Sequence, residues 1–339
     1  MKTLEQAYRE FDFDTMVQQH LAGTPDALNA YTECCGRFLG QNRIALIWEG
    51  KNGKTQYWTF EQLAEASGQL AHYMTSLGLQ AGDCIAGLLP RTPELLITIL
   101  ATWRIGAIYQ PLFTAFESKA IEHRINTAHT RLIITNQEQR AKLNDLDIPY
   151  ILTVHQTPES INQDADFWTE LKQYPIEFEP VQGRFSDIFL MMFTSGTTGL
   201  AKSVPVPLKA LLAFKGYMLH AVDLREEDTF WNLADPGWAY GLYYGIAGPL
   251  SLGHSIIMDE RAFSVDNAVE VIKKYRVNNL TGSPTAFRMF YGFKEKFDAE
   301  ISSCLRVVSS AGEPLTPEVI QWFNHEMDVN IYDQYGQTE

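Results

Sequence analysis

The decapeptide Phe193-Thr-Ser-Gly-Thr-Thr-Gly-Leu-Ala-Lys202 crowds four hydroxyl side chains (Thr194, Ser195, Thr197, Thr198), two glycines (Gly196, Gly199) and a cation, Lys202, into one short stretch. Glycines let the backbone turn its N–H groups toward an anion. The hydroxyls add donors, and Lys202 adds a point charge. The chemistry this composition supports is phosphate binding. It is not a Walker A loop, which needs adjacent Gly and Lys ahead of a helix. Here Leu200 and Ala201 separate Gly199 from Lys202, and Val204-Pro-Val-Pro207 cannot be a helix interior. The apolar run at 188–193 predicts a buried strand that delivers the loop.

Two further segments sit where a nucleotide can bind. Ser310-Ala-Gly-Glu-Pro314 follows a predicted strand at 305–310, and Asp333-Gln-Tyr-Gly-Gln-Thr-Glu339 follows another at 329–332. In open α/β sheets, ligands bind beyond the carboxyl ends of strands. Tyr335 offers a flat face for a nucleobase, and Gly312 and Pro314 suit close backbone approach. Thr338 can donate to a phosphate, and Glu339 is a hard oxygen ligand of the kind magnesium takes. Taken singly, each has a plainer reading: Gly-Glu-Pro as a turn, Tyr335 as a packing aromatic, Glu339 as a solvated acid.

The order of these motifs resembles the AMP-forming acyl-CoA synthetases of the adenylate-forming superfamily. Tyr57-Trp-Thr-Phe-Glu-Gln-Leu63 and Trp103-Arg-Ile-Gly-Ala-Ile-Tyr-Gln-Pro-Leu112 look like its early motifs, and the resemblance runs over essentially the whole chain. It implies an α/β fold: two α/β lobes with mostly parallel sheets covered by helices. It implies ATP, Mg²⁺ and coenzyme A as cofactor and co-substrates. Residues 194–199 and Lys202 then hold phosphate. Gly312, Glu313, Pro314, Asp333, Gln334 and Tyr335 line the adenine, with Gly336 and Gln337 in the same segment. Thr338 contacts phosphate and Glu339 the magnesium, and Lys202, Thr338 and Glu339 are the implied catalytic residues.

Ala234-Asp-Pro-Gly-Trp-Ala-Tyr-Gly241 looks like the family's acid-binding segment, so Trp238, Ala239 and Tyr240 should face the carboxylic acid. On composition alone Trp238 reads better as a core residue. In acetate-specific relatives a tryptophan floors the pocket at the position of Gly336. Glycine there, with Ala311 nearby, implies a longer acid, medium-chain or aromatic. Relatives also carry an aspartate, an arginine and a mobile lysine beyond the last motif, in a distal β-barrel and a C-terminal domain. The resemblance therefore implies a truncated synthetase with impaired turnover. A nucleotide-binding fragment, a pseudoenzyme, or adenylation for a carrier-protein thiol are the alternatives.

The elements that must position these residues read as strand and helix in alternation. Apolar residues from Phe60 to Leu77 recur at helical spacing before Gly78, and 94–105 is apolar nearly all round. Short apolar runs at 84–89 and 131–135 predict parallel strands. Residues 156–185 carry Pro158, Pro175 and Pro180 and read as a long connection. The expected division is a first lobe over 1–185 and a second over 186–339.

Composition narrows the partners. A chain of 339 residues with 45% hydrophobic and 20% charged residues is globular. A net charge of −14 argues against nucleic acid or an anionic membrane. No apolar run is long enough to span a bilayer. The four cysteines form no C-x-x-C pair, and the eight histidines are scattered. A reduced, cytoplasmic protein is the expectation, with its oligomeric state open.

Overall fold

The computed structural model describes residues 4–10, 12–155, 164–194 and 200–338. The helix Phe60–Ser76 begins at a capping box, in which the Thr59 hydroxyl accepts from the Gln62 N–H and the Gln62 side chain accepts from the Thr59 N–H. It buries Phe60, Leu63, Leu70, Ala71 and Met74, the stripe its spacing predicts. Gly78 follows at φ +76°, in the left-handed region where glycine costs least. The helix Pro93–Arg104 opens on proline and is buried at every position.

These helices cover a seven-stranded sheet. From one edge its strands are Ala165–Asp166, Tyr150–Val154, Thr130–Asn136, Cys84–Leu88, Ile108–Pro111, Ile188–Thr194 and Lys202–Pro207. All neighbours are parallel except the last pair. A second sheet is wholly parallel, in the order Phe230–Asn232, Asn279–Gly282, Val307–Ala311, Asn330–Gln334. A third joins Ile256–Asp259, Ile44–Glu49 and Thr55–Thr59. The α/β class is therefore as expected. No helix among the described residues is long and apolar enough to cross a membrane.

Hydrogen-bonded strands cross the expected division at 185 twice. Ile188–Thr194 and Lys202–Pro207, read as the start of the second lobe, complete the sheet built by 84–154. Ile256–Asp259 pairs with Ile44–Glu49 from the first half. Thr194 and Lys202, which flank the phosphate-loop stretch in sequence, thus belong to the edge pair of the first large sheet.

The connection before it is also more ordered than its composition suggests. Asp166 caps a short helix, Phe167–Leu171. Residues 174–183 are then strapped down by donors to their carbonyls. Arg104 Nε donates to Phe178 O at 2.8 Å, and Asn29 Nδ2 to Val181 O at 2.7 Å. The strap crosses the helix Phe60–Ser76 at Gly68, where an added Cβ would lie 1.8 Å from Ile176 O. Gly68→Ala is expected to destabilise the protein by about 2–3 kcal/mol by overpacking against backbone. Urea denaturation checks this, and an unchanged midpoint would show that the strap is free to lift.

A fully buried ion pair fixes the helix that will form one wall of the site. Lys215, on Ala210–His220, lies 2.7 Å from Glu33, and neither side chain is exposed. Glu33 also accepts from the N–H groups of Ala22 and Gly23 at 2.7 and 3.0 Å. Burial pushes the Lys215 ammonium below its ordinary range, against the pull of Glu33.

Candidate active site

The four parallel strands of the second sheet run out toward one place. The segments that follow them, entered at Leu233, Ser283, Gly312 and Tyr335, all line a single cavity of about 1070 Å³. This is the carboxyl-end position that open α/β sheets give to ligands. Val204–Pro207 side chains and the helix Ala210–His220 close the opposite side through Ala210, Phe214 and Tyr217.

Of the residues expected at the nucleotide, Gly312, Glu313, Tyr335, Gly336, Gln337 and Thr338 line this cavity, and so does Ala311, expected at the acid. Gly312 sits at φ +104°, a conformation that disfavours any side chain. Tyr335 is 89% exposed, which leaves its ring open to stack. Glu313 is anchored: Arg288 donates to it at 2.6 Å, and the Thr285 hydroxyl donates at 3.2 Å. The Arg288 guanidinium holds its carboxyl below the usual carboxylate range.

Pro314, Asp333 and Gln334 are not among the lining residues. Pro314 is exposed. The strand Asn330–Gln334 extends two residues past its expected end, so Asp333 and Gln334 alternate on it. Asp333 accepts from the Leu315 N–H at 3.2 Å, and Gln334 Nε2 donates to Ala221 O at 2.7 Å. Thr194 and Lys202 stand opposite one another at the mouth of the antiparallel pair, with Lys202 exposed. Ser195, Gly196, Thr197, Thr198, Gly199 and Glu339 lie outside the described residues.

At the acid end, Trp238, Ala239 and Tyr240 line the cavity as expected. Trp238 is 43% exposed rather than core. It packs on Phe113 and Phe116, with ring centroids 5.6 and 5.8 Å away. The turn before it is tight. Asp235 Oδ1 accepts from the Gly237 N–H at 2.8 Å, and a Cβ on Gly241 would meet Asp235 O at 2.2 Å. Burial raises the Asp235 carboxyl, opposed by the Arg91 charge. The chain then forms a π-helical turn, Tyr243–Ala247, a local widening common at functional sites. This turn aims Tyr244 onto Tyr217, stacked at 3.9 Å, and Tyr243 onto Phe214 at 4.5 Å.

The sequence reading missed Tyr217, Tyr244, Asp235 and Met289, which line the cavity, and Phe113 and Phe116, which pack on Trp238. Most are aromatic or apolar residues that a single sequence cannot tell from core. The glycines at 237 and 241 were the available signal for the tight turn. No cluster of three or more His, Cys, Asp or Glu is placed to hold a metal among the described residues.

The AMP-binding enzyme family model matches residues 39–339. Acetyl-coenzyme A synthetase of Bacillus subtilis is 31% identical across 100% of this chain and 60% of that protein. Acetyl-coenzyme A synthetase 1 of Candida albicans is also 31% identical, over 92% of this chain and 51% of its own. Among solved structures, an acyl-CoA synthetase of Brucella canis superposes with a TM-score of 0.96 at 48% identity, covering 100% of this chain and 62% of that one. An anthranilate CoA ligase in complex with anthranoyl-AMP shares the fold, with a TM-score of 0.83 at 22% identity over 93% of this chain and 61% of that one. The chain thus spans about 60% of the length of the first of these relatives. With the acid segment and two nucleotide segments on one cavity and the family match covering residues 39–339, the chain belongs to the AMP-binding enzyme family.

Proposed function

We propose that this chain forms the acid- and nucleotide-binding portion of an AMP-forming acid–thiol ligase. The observation that carries the reading is one cavity shared by two kinds of wall. Trp238, Ala239 and Tyr240 of the acid segment line it together with Gly312, Glu313 and Tyr335–Thr338 of the nucleotide segments. A carboxylate held by the first is brought to the α-phosphorus of ATP held by the second. Its oxygen attacks, pyrophosphate leaves, and acyl-AMP forms. The thiolate of coenzyme A then attacks the acyl carbon, giving the thioester and AMP. Proximity on this scale accounts for a large part of such a barrier, about 7–11 kcal/mol at best.

Lys202 offsets charge on the phosphates, and Thr338 donates to one of them. Glu339 would supply the protein carboxylate that holds magnesium, which would offset phosphate charge when bound. Gly336 and Ala311 leave room beside the aromatic wall, so the acid is longer than acetate, medium-chain or aromatic, although the curated relatives are named for acetyl-CoA. Four cysteines that are unpaired and buried fit a cytoplasmic protein.

The test is acid-dependent exchange of labelled pyrophosphate into ATP by the intact protein, across acids from acetate to decanoate and benzoate. Exchange that needs both acid and magnesium, and peaks above acetate, is the expected result. Exchange that ignores the acid would end this reading.

A further inference from the structure

Gln334 stands one residue before the Tyr335–Thr338 wall, on an edge strand that pairs with Val307–Ala311 alone among the described strands. Its side chain is engaged at both ends. Nε2 donates to Ala221 O at 2.7 Å, and Oε1 accepts from the Tyr217 hydroxyl. A carbonyl oxygen can only accept, so the amide nitrogen must face Ala221. That leaves Oε1 toward Tyr217 and obliges the phenol to donate. Burial raises the Tyr217 phenol well above its ordinary range, so the proton stays in place near neutrality.

Tyr217 belongs to the other half of the site. It lies on Ala210–His220, lines the cavity, and stacks on Tyr244 with an interplanar angle of 24°. Tyr244 in turn meets Tyr240 of the acid-binding segment edge-on at 5.7 Å. One side chain therefore forms acid-side wall with its ring and reaches the nucleotide segment with its hydroxyl. Its helix is held from behind by the buried Lys215–Glu33 pair.

We propose that the Tyr217–Gln334 hydrogen bond is a positioning pair that registers the aromatic acid wall against the Tyr335–Thr338 nucleotide segment. Neither side chain touches a reacting atom. The pair acts through where it places Gly336 and Thr338 relative to the Tyr217–Tyr244 stack. This deepens the ligase reading and rests on it.

Tyr217→Phe keeps the ring and its stack and removes one hydroxyl. In the intact protein it is expected to raise KM for both ATP and the preferred acid by about fivefold, with a smaller change in kcat. Gln334→Leu should do the same or more, and the double variant should be no worse than Gln334→Leu alone, because the two changes remove one interaction. Unchanged KM values in Tyr217→Phe, or fully additive effects in the double variant, would overturn the proposal. So would a lower melting temperature with both KM values intact. A ligand-free measurement separates this from the ligase reading. Amide hydrogen exchange over 331–338 should quicken in Tyr217→Phe, while 84–111 stays at the wild-type rate. If the wild type lacks exchange activity, the ligase reading fails and this measurement alone decides the pair, with unchanged exchange over 331–338 counting against it.

Discussion

Replacing Lys202 by alanine is expected to lower acid-dependent ATP–pyrophosphate exchange by about 10²–10³-fold, the usual cost of losing one preorganised electrostatic partner of a transition state. The effect should be this large because the site has little cationic redundancy. Among the described lining residues of the cavity none is lysine or arginine, and Asp235 and Glu313 add carboxylates. On the proposed reading the charge of a triphosphate is met by Lys202, which begins its strand opposite Thr194, two residues before the cavity-lining Val204. The substitution should leave the fold alone. Lys202 is exposed, and its strand is held by backbone pairing with Ile188–Thr194. Exchange within about threefold of wild type would remove Lys202 from the reaction.

Gly336→Trp is expected to invert the acid preference. A Cβ built on Gly336 meets no heavy atom within 4 Å, so the backbone accepts a side chain without a clash at its root. Gly336 also lines the cavity that Trp238, Tyr217 and Tyr244 share, so an indole there fills acyl space. A hexanoyl chain loses burial of about four methylenes, near 3 kcal/mol or on the order of 10²-fold in kcat/KM, while acetate loses almost nothing. Ratios of kcat/KM for hexanoate and acetate in the two proteins measure this. An unchanged ratio would place the acyl chain elsewhere.

Local pattern carried much of the fold. The buried helix Pro93–Arg104 and the amphipathic Phe60–Ser76 were legible because their side chains report burial at each position. The partner of Ile188–Thr194 was not. A buried apolar strand looks the same whichever sheet it joins, and here Tyr109↔Leu190 is a pairing across distant sequence. The strap at 174–183 was hidden for another reason. It is held by Arg104 and Asn29 donating to its backbone, which leaves no periodicity in its own residues.

The site divides in the same way. Gly312, Gly336 and the hydroxyl-rich loop are short-range signals, because the conformation or composition they provide is local. Asp333 and Gln334 were expected to face the adenine because they belong to the motif. They turn instead to Leu315, Ala221 and Tyr217, because the strand continues through them. Phe113 meets Trp238, and Tyr217 meets Tyr244, only after the fold is made.

On the proposed reading one cavity holds an acid and AMP together. Titration calorimetry on this chain with a non-hydrolysable hexanoyl-AMP mimic, hexanoyl sulfamoyl adenosine, tests it without needing turnover. Joining two ligands that occupy adjacent subsites should give binding at least about 10²-fold tighter than AMP or hexanoate alone. Gly336→Trp should abolish that gain, read against AMP titrated into the same variant. A mimic that binds no tighter than AMP would contradict the account, because the acyl chain would then have no place in the cavity.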